Sequence, residues 1–214
     1  GGAELEATSG QTTYRGNWDN QGGSFNANGG SWIFDAVSNN RSYSSTAVDS
    51  FFNLEIASND NVRINIDATD SIYVENKLEL RNGRFMTGHL LVEDTAIIYS
   101  TYDEGDADVY FIGSTTSNFL IESAEGNFDK FIRKDNSTDT VFFQPLSGTS
   151  LNIGETDRDL EIQEGVLSFA LADTVDLDYG DLIILSGAEL QASMGQTTYQ
   201  GAWNNVGGKF NANQ

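Results

Sequence analysis

Residues 2–28 return almost unchanged at 187–213. Gln11-Thr12-Thr13-Tyr14 reappears as Gln196-Thr197-Thr198-Tyr199, Trp18 as Trp203, Gly22-Gly23 as Gly207-Gly208, and Phe25-Asn26-Ala27-Asn28 as Phe210-Asn211-Ala212-Asn213. The alignment needs no gap, and most positions are identical along its whole length. Self-similarity at a fixed offset is the mark of a repeat architecture. Residues 1–185 therefore read as one complete unit. Residues 186–214 read as the start of the next, homologous to residues 1–29. The expectation is a segment of a longer protein that continues in both directions, built as a single continuous solenoid with no linker.

Period-two alternation recurs between the copies. Phe52-Asn53-Leu54-Glu55-Ile56, Val62-Arg63-Ile64-Asn65-Ile66-Asp67, Ile72-Tyr73-Val74 and Val175-Asp176-Leu177-Asp178 each place apolar residues on one side. Strands send successive side chains to opposite faces, so each segment has a dry and a wet side. Turn formers separate them: Ser58-Asn59-Asp60-Asn61, Arg81-Asn82-Gly83, Glu104-Gly105-Asp106 and Gln163-Glu164-Gly165. With 22 glycines, one proline and no capped helical periodicity, the chain is expected to be all-β. The long offset favours a parallel β-helix or β-solenoid, in which coils bury their apolar faces only by stacking on neighbours. Tandem β-sandwich domains are the alternative. A weaker echo joins Leu78-Glu79-Leu80-Arg81-Asn82-Gly83 to Leu160-Glu161-Ile162-Gln163-Glu164-Gly165, and suggests coils of similar shape but uneven length.

An ordered set of phrases resembles the β-solenoid repeats of large Bacteroidetes-type cell-surface and secreted proteins. These are Gly22-Gly23-Ser24-Phe25-Asn26-Ala27, Trp32-Ile33-Phe34-Asp35, Phe51-Phe52-Asn53-Leu54-Glu55-Ile56, the Leu78-to-Gly88 coil, and the Phe131-to-Pro145 stretch. The likeness covers roughly residues 20 to 146 and departs after Pro145, where Leu146-Ser147 replace a usual glycine. It implies an adhesin-like protein at the extracellular bacterial surface, working in adhesion or display. It transfers no catalytic or ligand-binding residue.

Thirty-two acidic and 11 basic residues give a net charge of −21. Such a chain repels phosphate backbones and anionic lipid, so nucleic acid and direct membrane insertion are not expected partners. Adjacent repeats of the same chain are, with surface glycans or other cell-surface proteins as further candidates. The absence of cysteine removes disulfides and thiolate sites.

A catalytic triad would need a histidine, and the only one is His89, between Gly88 and Leu90. No spacing of the acids singles out the paired carboxylates of a glycosidase. A polysaccharide-degrading β-helix enzyme is therefore the least favoured function, and no cofactor is expected. Calcium is the metal that the composition could hold, since it takes oxygen ligands. The densest candidate cluster is Asp103, Glu104, Asp106 and Asp108 around Gly105. Tyr14 with Trp18, repeated as Tyr199 with Trp203, could stack on sugars or could fill the space between coils. The leading expectation is a structural stalk, with a carbohydrate- or calcium-binding repeat as the alternative.

Overall fold

The computed structural model describes residues 3–59, 62–102, 105–113, 116–122, 130–133 (backbone only), 139–154 and 158–212. No helix occurs among them, and the named strands pair in parallel throughout. The chain climbs as a three-sided coil, a β-solenoid. A β-sandwich would need antiparallel sheets, so that alternative is not realised.

Three parallel ladders form the sides. Ladder A opens with Glu4–Glu6 against Ser24–Asn26. It resumes with residues 49–51 against 72–74 and climbs through His89–Val92, Asp108–Phe111, Lys130–Arg133, Asp159–Ile162 and Asp181–Leu185 to Ala202–Val206. Ladder B runs without a break from Gln11–Tyr14 and Ser31–Phe34, through residues 53–56 and 77–80, to Thr95–Ile98, Ser117–Ile121, Thr140–Pro145, Val166–Ser168, Glu189–Gln191 and Lys209–Asn211. Ladder C holds Trp18–Asn20, Arg41–Ser45, Arg63–Ile66 and Arg84–Met86, and further along Ser150–Ile153, Thr174–Leu177 and Gln196–Tyr199. The chain visits A, B and C in turn.

The core follows from the alternation. Trp32, Leu54, Leu78, Ala96, Phe119 and Phe143 stand in register up ladder B, each at most 5% exposed. Ile72, Leu90 and Val109 do the same on ladder A, as do Leu160 and Leu182 further up. Each leucine, isoleucine, valine or phenylalanine among them contributes about 1.5–3 kcal/mol when its apolar surface leaves water. No coil could shelter these residues alone, because their cover is the coil above and the coil below. Coil length varies. On ladder B, Leu78 pairs with Ala96 and Val141 with Leu167, so the later coil takes the longer stretch of chain to come round. Corners and loops absorb the difference.

The repeated phrase folds into the same local coil twice. Leu5 pairs with Phe25, and the equivalent Leu190 with Phe210, so each copy closes over the same length of chain. The Tyr14 and Trp18 rings stand edge to face at 5.8 Å, and Tyr199 and Trp203 at 6.1 Å. Trp18 meets Phe25 at 5.0 Å, and Trp203 meets Phe210 at 4.9 Å. Both Gly-Gly turns need their glycines. Gly22 and Gly207 adopt φ of 94° and 82°. A Cβ on Gly23 or Gly208 would lie 2.8 Å from the Ala3 carbonyl or 2.7 Å from the Leu185 carbonyl.

The two copies nevertheless stand on different sides. Trp18 lies in ladder C and Trp203 in ladder A. Gln11–Tyr14 lies in ladder B and Gln196–Tyr199 in ladder C. Every strand of the second copy sits one side further round. The offset between the copies therefore spans a whole number of turns plus a third. The weaker echo is displaced too: Leu78 belongs to ladder B and Leu160 to ladder A.

Candidate functional site

The chemistry-bearing residues gather at the two ends of the coil. At the opening end, Trp18 is the centre of an aromatic cluster. Its ring meets Phe25 and Trp32 edge-on at 5.0 and 5.5 Å, stacks near-parallel on Tyr43 at 6.3 Å, and touches Phe51 at 5.6 Å. Trp18 is 8% exposed. The Tyr14 hydroxyl donates to the Asn17 carbonyl, which pins the ring against Trp18.

A buried carboxylate organises this cluster. Asp49 accepts from the Trp18 indole N–H at 2.7 Å, the Tyr43 hydroxyl at 2.8 Å and the Asn20 amide at 2.6 Å. It is 2% exposed, so these three donors replace the water it has lost. The Tyr43 hydroxyl in turn is pushed well above the ordinary phenol range, by burial first and the Asp49 charge second. Sequence reasoning missed Asp49. The available signal was its alternation with Phe51, which places both on the dry side of one strand.

A cavity of about 350 Å³ opens beneath the cluster, lined by Leu5, Tyr14, Trp18, Phe25 and Trp32 with Asn17, Asp19 and Asn20 among its polar groups. Trp32 Nε1 is buried with no hydrogen-bond partner. The apolar floor and amide-rich rim have the chemistry of a sugar subsite, and equally that of a seat for another apolar β-coil.

At the closing end the Tyr199 hydroxyl donates to the Ala202 carbonyl at 2.6 Å, as Tyr14 does in its own coil. Trp203 is 44% exposed and Phe210 41%. Among the described residues, no carboxylate accepts from the Trp203 indole N–H. Lys209 Nζ donates to Glu189 Oε2 at 2.7 Å, and this bond holds the Glu189 carboxyl below the usual carboxylate range. Of the four sugar-stacking candidates, Tyr14 and Trp18 meet inside the opening cluster, and Tyr199 and Trp203 form a second, more open pair.

Of the candidate calcium ligands, Asp103 and Glu104 lie outside the described residues. Asp106 Oδ1 accepts from Arg158 at 2.8 Å. Asp108 faces His89 at 3.7 Å and Tyr110 at 3.5 Å. Among the described residues, no group of three or more acids and histidines converges as a metal site.

No protein-family model, curated protein or solved structure matches this chain.

Proposed function

We propose that this chain is a stalk or display segment of a large, repetitive adhesin-like protein at the bacterial cell surface. Its task is reach and stiffness, supplied by strand stacking rather than by a reaction. The observation that carries this reading is the recurrence of one coil sequence, with one local geometry, at both ends of an unbroken ladder B. A solenoid that returns to its own opening coil can be lengthened by repetition without a new fold. The charge of −21 supports it, because a long exposed surface of strands stays soluble and resists side-by-side association when its outer faces repel. The test is labelling of intact, unpermeabilised source cells with antibodies raised against the chain. Label on intact cells is expected; label only after permeabilisation overturns the surface assignment.

A second reading, a carbohydrate-binding repeat, is favoured by one observation: the aromatic cavity with its Asn17, Asp19 and Asn20 rim. A glycan array probed with the full chain separates the two. Sugar binding abolished by Trp18→Phe would promote this reading over the stalk.

A further inference from the structure

Away from the aromatic clusters, ladder C carries a polar groove on its outer face. Its strands Ser150–Ile153, Thr174–Leu177 and Gln196–Tyr199 pair in register and bury Leu151, Ile153, Val175 and Leu177 in the core. The alternate residues therefore point outward as two ranks. Ser150, Thr174 and Gln196 form the first, and Asn152, Asp176 and Thr198 the second. Neighbours in a rank stand about 4.8 Å apart, and the two ranks roughly 6.6 Å apart along the strands. These six side chains line a cavity of about 280 Å³. Stacking coil on coil covers the edges of a ladder and leaves this outward face open.

The polar groups of this groove are largely unspent. On the outer face of ladder B, by contrast, the amides are tied to their neighbours: Asn53 donates to Ser31 at 3.1 Å and Gln144 to Asn118 at 2.9 Å. In the groove Thr174 donates to Ser150 at 2.7 Å. Among the described residues, the side chains of Asn152, Asp176, Gln196 and Thr198 have no such partner. Asp176 is half-buried, and its Oδ1 is shielded from water without accepting a bond. A carboxylate short of water gains more than an exposed one from a donor at its remaining oxygen.

From this we infer that the outer face of ladder C binds a neutral saccharide. The groove offers amides and hydroxyls that both donate and accept, and one carboxylate that accepts, which suits a run of sugar hydroxyls. No basic residue lines it, so an anionic ligand would meet the Asp176 charge uncompensated. One acid among the lining residues falls short of the oxygen set that calcium takes. The apolar residues beneath the groove, Leu151 and Val175, are 4% and 2% exposed, so an apolar ligand finds no seat. The site needs neither the stalk reading nor the aromatic cavity around Trp18.

The test is a glycan array of neutral, sialylated and sulfated oligosaccharides, probed with the full chain clustered on streptavidin so that weak contacts add. Neutral saccharides are expected to bind, and the acidic ones not to. Asp176→Ala and Asn152→Ala are each expected to weaken that binding by about tenfold or more, and Asp176→Asn by less. Their circular dichroism is expected to match the wild type, because both side chains point away from the core. Thr198→Val is expected to weaken binding as well. Thr13→Val, at the matching place in the first copy but beside Ile33 on ladder B, is expected to leave it unchanged. Binding of no saccharide, binding confined to acidic ones, or binding that survives both alanine variants overturns the proposal. Binding that survives them but is lost in Trp18→Phe overturns it too, and puts the sugar in the aromatic cavity.

Discussion

The Trp18 indole N–H donates to the Asp49 carboxylate at 2.7 Å, across two sides of the coil. This bond ties ladder C to ladder A, and the Tyr43 and Asn20 donors complete it. Replacing Asp49 by Ala leaves the buried Trp18 and Tyr43 donors, and the half-buried Asn20 amide, facing a void. Removing one partner from a buried, charged hydrogen-bonded set costs about 3–5 kcal/mol. Thermal or urea unfolding of Asp49→Ala is expected to show a loss of that order. Asp49→Asn, which keeps the shape and some of the bonds, is expected to lose less. Equal stability of Asp49→Ala and the wild type would remove Asp49 from the core account.

The same substitution at the two repeated tryptophans gives an internal control. Trp18→Ala empties a buried aromatic site and is expected to cost about 3–5 kcal/mol, the range for large core truncations. Trp203→Ala removes a ring that is 44% exposed and is expected to cost roughly 1 kcal/mol or less. Identical losses from paired denaturation curves would mean that the upper coil does not distinguish the two sites.

Alkaline titration probes the phenols. Burial, and then the hydrogen bond to Glu93, push the Tyr73 hydroxyl up to about 12. A folded-state value above the unfolded one means that the group stabilises the fold fully below pH of about 10, the unfolded phenol value. That contribution is lost as pH rises towards 12. Tyr43 and Tyr179 are shifted in the same direction by burial, with Asp49 adding to the effect at Tyr43. Phenolate absorbance is expected to lag behind that of free tyrosine and to rise together with loss of β circular dichroism. In Tyr73→Phe the destabilisation between pH 10 and 12 should be smaller. Complete phenolate formation near pH 10 in the folded protein would contradict these environments.

The outward charge makes a bulk expectation. Thirty-two acids against 11 bases repel one another along the coil. Raising ionic strength from about 0.01 M to 0.15 M shortens the screening length from about 30 Å to 8 Å. The melting temperature is expected to rise by a few degrees with sodium chloride. Under the stalk account, calcium at matched ionic strength should give no more than sodium does. A large additional gain with calcium that disappears in Asp106→Asn would favour the metal reading at that acidic cluster.

Much of this architecture is legible in the alternation. Val62, Ile64 and Ile66 face inward, as do Ile72 with Val74 and Val175 with Leu177, as their spacing requires. Residues 52–56 show where the pattern misleads. Leu54 and Ile56 are buried, but Phe51 rather than Phe52 completes the inner rank, because the strand shifts register between Phe51 and Asn53 as it bends from ladder A to ladder B. Which side a strand joins is not encoded in its alternation, since all three ladders share the same period. The one-side displacement of the second copy was therefore invisible until the coil lengths between the copies had accumulated. Asp49 was hidden for a related reason: an acid on the dry side reads as a surface residue until its donors Asn20 and Trp18, far earlier in the chain, are brought beside it. The pairing of Tyr14 with Trp18 was visible because the two rings keep the same close spacing in both copies.

The central claim is that length grows coil upon coil. It is tested most directly by small-angle X-ray scattering on this chain and on one carrying an extra copy of residues 1–185 ahead of residue 1. At about 4.8 Å per coil and roughly 22 residues per coil, the added unit should lengthen the particle by about 40 Å and leave its cross-sectional radius unchanged. A particle that thickens instead, with little gain in maximum dimension, would contradict it.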